Sequence, residues 1–303
     1  MRTWPTSIVD FVRPTLLRRR RPSPADGGFF LDPARHCADR FRKTPDVVLV
    51  SRGKRFGLSV NARLSTTRQS IVHPTLTFTL HTTTGATTQA VPIRRAIIAG
   101  WTARSRAAIE EHIAELKELG VAPPRKTPMF YRVAASRMSQ SDTLEAIGTA
   151  PSGEVEFFIL NVNGEIWVGA GSDHTDREAE AVGITLSKQL CDKPVARDLW
   201  RLDDLLAHWD RLELKAHATI AGERVLYQQG PVAAMLAPAD LIEAFAKEDG
   251  GGGFGPGDLM MCGTLPAIGG VRPAARFDFE LGDPVLERRI THGYDIVELP
   301  VND

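Results

Sequence analysis

Two strand-like runs, Glu154 to Leu160 and Glu165 to Gly169, are joined by Asn161-Val162-Asn163-Gly164. Asn-Gly adopts the left-handed backbone of a tight turn at little cost, so Asn163-Gly164 is a strong hairpin signal. Glu154 and Glu156 then sit two apart on the first strand, where period-two alternation projects both carboxylates from one face. The second strand delivers the chain to Ser172-Asp173. Like charges held this close repel each other unless a cation lies between them. A hard divalent ion with oxygen ligands meets that demand, Mg²⁺ or Mn²⁺ ahead of Ca²⁺, with Asp173 as third ligand. Taken alone, Glu-x-Glu on a strand more often marks a solvated sheet face.

The rest of the chain sets bounds on this reading. Its 303 residues are 43% hydrophobic and 24% charged, enough to bury a core, and no apolar run reaches bilayer-spanning length. Cys37, Cys191 and Cys262 stand far apart without a CxxC pair. That usage suggests neither a zinc cage nor a disulfide framework and fits a reducing, cytoplasmic setting.

The net charge of zero hides a split. Residues 1–75 hold 15 Lys+Arg against 5 Asp and no Glu, while the remainder carries 22 basic against 32 acidic residues. This head includes the run Arg18-Arg19-Arg20-Arg21 and shows neither helical nor strand periodicity, so it reads as a basic extension, disordered or spurious, outside the fold. Its acidic residues and its length count against a transit peptide, and no clean apolar stretch marks a secretory signal. A nucleic-acid arm is disfavoured because aromatic interleaving is missing, Phe29-Phe30 standing alone. The folded domain is therefore expected over residues 76–303.

Along that body, Leu76 to Leu80 alternates apolar and polar, and Val91 to Ile98 repeats the theme, which suggests a leading hairpin. Ser105 to Leu119 carries Ile109, Ile113 and Leu116 on one face with Gly120 as a stop, predicting an amphipathic helix that bears His112 and Glu115. Met129 to Val133 reads as a strand. Thr175 and Glu178 form a capping box for a helix through Glu180. Leu199 to Trp209 reads as a short helix, Leu212 to Ile220 and Val225 to Gln228 as strands, and Pro238 to Lys247 as a helix. Gly250 to Gly253 reads as a mobile loop, with no Lys-Ser/Thr to make it a phosphate cradle. Alternating or short apolar runs from Asp258 to Pro300 predict a β-rich ending.

The order of these motifs resembles the fumarylacetoacetate hydrolase superfamily. There a Glu-x-Glu strand precedes an Asn-Asp-x-Ser/Thr-x-Arg-Asp/Glu segment, matched here by Ser172-Asp173-His174-Thr175-Asp176-Arg177-Glu178. Upstream, Gly100, His112-Ile113-Ala114-Glu115 and Pro128-Met129-Phe130-Tyr131-Arg132 match the family's strand end, lid helix and Pro-x-x-Phe-x-Lys stretch. Downstream, Ser187-Lys188-Gln189 stands for its Gly-Lys-Ser, and Gly257-Asp258 through Gly263-Thr264-Leu265-Pro266 for its Gly-Asp-x-x-x-x-Gly-Thr-Pro loop. The match spans about residues 95 to 300, and within the superfamily the chain looks like a bacterial branch catalogued only as a domain of unknown function. It departs from the pattern in a shorter interval between Glu156 and Asp173, in Arg132 for Lys, in Leu265 before Pro266, and in Ser172 for Asn.

The resemblance implies an α+β fold, a β-rich rolled mixed sheet with peripheral helices, paired as a homodimer. It implies a divalent-metal-dependent hydrolase that cleaves a carbon-carbon bond in a small anionic β-diketo or acylpyruvate-like acid, with Glu154, Glu156 and Asp173 as metal ligands. His112 and Glu115 would activate water, Lys188 would stabilise developing negative charge, and Arg132, Gly263 and Thr264 would bind the substrate. Decarboxylation of a β-keto acid and keto-enol isomerisation share the same enolate chemistry. A non-catalytic binding module built around the basic head, and an amide or lactone hydrolase, are the rivals from other classes. His174, His208 and His292 are assigned no role beyond structure.

Overall fold

The computed structural model describes residues 72–303, apart from residues 108, 111–112, 115–122, 251 and 303. Expectations that fall on residues 1–71, and those on His112 and Glu115, lie outside the described residues. In chain order the strands are β1 (Thr75–Thr82), β2 (Gly85–Pro92), β3 (Arg95–Gly100), β4 (Met129–Val133), β5 (Met138–Ser139), β6 (Thr143–Ile147) and β7 (Pro151–Ser152). The hairpin strands β8 (Val155–Val162) and β9 (Glu165–Ser172) follow, then β10 (Thr175–Asp176), α1 (Arg177–Glu180) and α2 (Ile184–Leu190). After β11 (Lys193–Pro194), β12 (Asp198–Arg201), β13 (Glu213–Ile220) and β14 (Glu223–Pro231) comes α3 (Pro238–Glu248). The chain closes with β15 (Asp258–Thr264), β16 (Arg276–Asp283) and β17 (Arg288–Leu299).

Eight strands form a mixed sheet in the order β2-β1-β12-β9-β8-β15-β3-β4, and five form a second in the order β14-β13-β16-β17-β6. In the large sheet β1 and β8 stand three strand positions apart, yet side chains lean across it until the rings of Phe78 and Phe158 are 6.3 Å apart. Gly169 permits this approach, because a Cβ there would meet Phe158 at 2.4 Å and Leu199 at 2.6 Å.

One core, with Phe157, Ile159, Trp209, Tyr227, Phe277 and Tyr294, draws on both sheets. The other, with Phe78, Ile98, Phe158 and Leu160, lies on the opposite face of β8. Strand β8 is buried along its whole length and is apolar apart from Glu156 and Asn161, whereas β16 alternates buried Phe277, Phe279 and Leu281 with partly exposed Arg276, Asp278 and Glu280.

Several local expectations need correction. The leading hairpin pairs β1 with β2 by residues Gly85–Pro92, not with Val91 to Ile98. Pro92 has no N–H to continue the ladder, and beyond it the chain crosses to Gly257, whose carbonyl accepts from the Arg94 amide at 2.7 Å. The run Leu199 to Trp209 is not one helix. Its start belongs to β12, which pairs with β1 and β9, and only 3-10 turns at Leu202–Asp204 and Leu206–Arg211 follow. Tertiary strand pairing overrode helix propensity there. The cap of α1 is Asp176, whose carboxylate accepts from the Ala179 amide at 3.0 Å; the Thr175 hydroxyl turns to the Asp173 carbonyl instead. Near the glycine cluster, the Gly253 carbonyl is bound by Arg95, which also pairs with Asp249 and Asp258. Residues 106–107, 109–110 and 113–114 are helical, as the amphipathic pattern predicts, and α3 runs one residue past its expected end.

Candidate metal site

The turn at Asn163-Gly164 has positive φ at both residues, 56° and 100°, and so makes a tight hairpin. Its register sets Val155 against Ser172 and Glu156 against Gly171, and one step further the Asp173 amide donates to the Glu154 carbonyl at 2.9 Å. Glu154 and Asp173 are thus cross-strand partners, and Glu156 lies two residues along. Their carboxylates offer ligand atoms all within 4.8 Å of one another.

Each carboxylate has its own surroundings. Glu156 is 2% exposed and accepts from the Gly263 amide at 2.7 Å. Burial, with Asp173 and Glu154 beside it, pushes its carboxyl well above the usual range. Burial would push Glu154 up as well, but Arg177 and Lys188 outweigh that and hold it below its ordinary value. Arg177 Nη2 lies 3.1 Å from Glu154 Oε1, and its Nε donates to Ser152 Oγ at 2.7 Å across the β10–β7 pairing. Asp173 is fully buried between Lys188 Nζ at 2.6 Å and Lys193 Nζ at 3.1 Å. Both lysines are at ion-pair distance, yet their approach is off-angle, and neither Asp173 oxygen accepts a hydrogen bond. Three acidic oxygen donors, one of them buried without a hydrogen bond, are a donor set that fits a hard divalent cation.

The structure brings Lys188 into this cluster, where its ammonium also donates to Glu154 Oε2 at 2.9 Å and Thr175 Oγ1 at 3.0 Å. Gly263 and Thr264 are also present, but engaged internally. The Gly263 amide holds Glu156, and the Thr264 hydroxyl donates to the Val155 carbonyl at 2.8 Å. Gly263 has φ +104° and a Cβ there would fall 1.8 Å from Thr102 Oγ1, so only glycine fits the turn that aims this amide. The structure does not bring Arg132 to the carboxylates. Adjacent strand residues face opposite sides, and here Tyr131 packs against the second apolar core while Arg132 is exposed and feels Arg95, Asp258 and Asp249.

Four further residues escaped the sequence reading. Tyr131 is half-buried, feels the charge of Lys188, and accepts from Trp101 Nε1 at 3.2 Å; the shared parity of Tyr131 and Val133 is the signal that would have found it. Arg177 lay inside the quoted motif without a role. Lys193 is fully buried by the β11–β5 pairing and donates to the His174 carbonyl at 2.5 Å, which no local pattern announces. Gln228 is 1% exposed, accepts from the Val155 amide at 2.9 Å, and donates to Thr264 Oγ1 at 2.9 Å, stapling the Glu-x-Glu strand to the Gly263-Thr264 turn. His174 is buried, its Nδ1 2.8 Å from the Tyr294 hydroxyl, and burial with Lys193 and Arg177 nearby lowers its pKa to about 3, so it is neutral.

A mixed sheet with three clustered carboxylates at the end of its central hairpin defines the class: a β-rich protein with a candidate divalent-metal site. The particular family follows from the sequence. The chain belongs to the family described as "Protein of unknown function (DUF2848)", whose model matches residues 99–294. No curated protein matches it significantly. Among solved structures it is similar in fold to Cg1458, at 16% identity and TM-score 0.50 over 70% of this chain and 80% of that one. Against Cg1458 with inhibitor the TM-score is 0.52, again at 16% identity, over 70% and 81% of the two chains. A weaker likeness, 13% identity and TM-score 0.46 over 71% and 77%, is to 2-keto-3-deoxy-D-arabinonate dehydratase complexed with magnesium and 2,5-dioxopentanoate. Among the described residues no helix is long and apolar enough to cross a membrane.

Proposed function

We propose that this chain is a divalent-metal-dependent hydrolase of the fumarylacetoacetate hydrolase type, cleaving a carbon-carbon bond in a small anionic β-diketo or acylpyruvate-like acid. The observation that carries the reading is the convergence of Glu154, Glu156 and Asp173 within 4.8 Å, with Asp173 buried and without a hydrogen bond. These three carboxylates would hold Mg²⁺ or Mn²⁺, which when bound supplies a Lewis acid for a keto-acid oxygen. The chain's own residues do the rest. Gln228 and the Gly263 amide fix the Glu-x-Glu strand, Arg177 and Lys193 orient Glu154 and Asp173 from behind, and Lys188 presents the remaining positive charge to an anionic substrate. His112 and Glu115, three apart and so on one helical face, would activate the attacking water. Thr264 orders the strand end through its hydrogen bond to the Val155 carbonyl, and two copies of the chain would form the working dimer.

The test is turnover of acylpyruvates and oxaloacetate by the full chain with Mg²⁺ or Mn²⁺, beside Glu154→Ala and Asp173→Ala. The reading expects acylpyruvate hydrolysis that is lost on chelation and falls by more than about 100-fold in both variants, beyond what loss of an outer support costs. Metal-independent turnover, or equal rates in parent and variants, rejects it. Turnover of oxaloacetate alone moves the assignment to decarboxylation.

A further inference from the structure

Lys188 Nζ stands among the acidic groups that would receive a metal, 2.6 Å from Asp173 Oδ2 and 2.9 Å from Glu154 Oε2. With Arg177 on Glu154 and Glu180, and Lys193 on Asp173, the cluster sets four carboxylates against three cations of the chain itself. A divalent ion added to this set would face three nearby positive charges in a buried place, where Coulomb repulsion is poorly screened. The ion is held best if the cation standing on two of its carboxylates withdraws.

The surroundings single out Lys188. Lys193 is fully enclosed, with its ammonium on the His174 carbonyl. Arg177 is clamped by Ser152 at 2.7 Å and by Glu180 at 3.3 Å besides Glu154. Lys188 keeps 10% of its side chain exposed, against 19% for Arg177, but it alone stands on two of the candidate ligands, and it rides on α2, a seven-residue helix whose Leu186 and Leu190 are exposed to solvent. Its four-carbon stem gives the ammonium room to swing.

We infer that the Lys188 ammonium is a displaceable internal counter-cation: it bridges Glu154 and Asp173 in the metal-free protein and swings outward when a divalent ion is bound there. The swing sets the affinity for the ion, and it turns the ammonium toward the solvent side, where an anionic substrate approaches. This inference rests on the proposed metal site.

The test uses the full chain stripped with chelator and titrated with Mn²⁺ by calorimetry, for the parent and for Lys188→Met, which keeps the stem and removes the charge. Lys188→Met should bind Mn²⁺ at least about tenfold more tightly, since its carboxylates no longer lose a partner on binding. Circular dichroism checks its fold, and Lys188→Gln takes its place if it does not fold. A second readout separates displacement from simple charge removal: reductive methylation of Lys188 in the parent, followed by mass spectrometry, should accelerate several-fold on adding Mn²⁺. Parent binding with an unchanged labelling rate, or with affinity not raised in the variant, overturns the displacement and leaves the metal site standing. Failure of both parent and variant to bind Mn²⁺ overturns the metal site and the inference with it.

Discussion

Asp283 is 1% exposed and gathers His208 Nε2 at 3.1 Å, the Val285 and Leu286 amides at 3.0 and 3.1 Å, and Arg288 Nε at 3.1 Å. This gives His208, left without a role in the sequence, a structural one. Burial alone would push the Asp283 carboxyl up, but His208, the two amides and Arg288 outweigh it and hold the pKa below the ordinary value. A carboxyl depressed on folding contributes stability that is fully present above its unfolded pKa, near 3.9, and lost as the pH falls through the lower folded value. Asp283→Asn should therefore be less stable than the parent by about 2–3 kcal/mol at pH 7, the scale of hydrogen bonds to a buried charge. The gap should narrow below about pH 4. Urea denaturation at several pH values reads this directly, and a gap that stays constant with pH would show that charge is not the cause.

At the scale of elements, the β8–β9 hairpin both anchors the packing of the large sheet and builds the site. Its turn chemistry fixes the register that sets Glu154 against Asp173, and its Gly169 lets Phe158 and Leu199 close over the strand. Gly169→Ala places a methyl 2.4 Å from one buried side chain and 2.6 Å from another, so strand or rings must shift. Overpacking of this kind costs about 1–3 kcal/mol. The midpoint of urea unfolding should fall accordingly, and the same substitution at Gly164, where nothing stands within 4 Å, should show backbone strain without the core penalty. Equal losses at the two glycines would mean that crowding at Gly169 is relieved without cost.

At the scale of the whole molecule, the candidate site ties together the central hairpin, the β10–β7 clasp and the β15 turn, so ligand binding there is linked to global unfolding. An ion that binds the folded chain at a concentration 100 times its Kd adds about 2.7 kcal/mol of stability. For a domain of this size that raises the thermal midpoint by roughly 5–10 °C. Scanning calorimetry of chelator-stripped protein should show this rise with Mn²⁺, its reversal by chelator, and its absence in Glu156→Ala. A midpoint indifferent to Mn²⁺ would argue that these carboxylates serve structure alone.

What the sequence by itself determined is what depends on near neighbours: the Asn163-Gly164 turn, the period-two placement of Glu154 and Glu156, the arrival of the chain at Asp173, the helix Pro238–Glu248 and the β-rich ending. Turn preference and side-chain alternation are properties of a few consecutive residues, so they can be read without the fold. Tertiary structure alone decided the rest. It split Leu199 to Trp209 between β12 and 3-10 turns, because pairing with β1 and β9 outweighed local propensity. It packed Tyr131 against the apolar cluster and left Arg132 exposed, and it brought Lys193 to Asp173, Arg177 to Glu154 and Gln228 to the Val155 amide. Those meetings depend on long-range register and strand order, which no run of adjacent residues encodes.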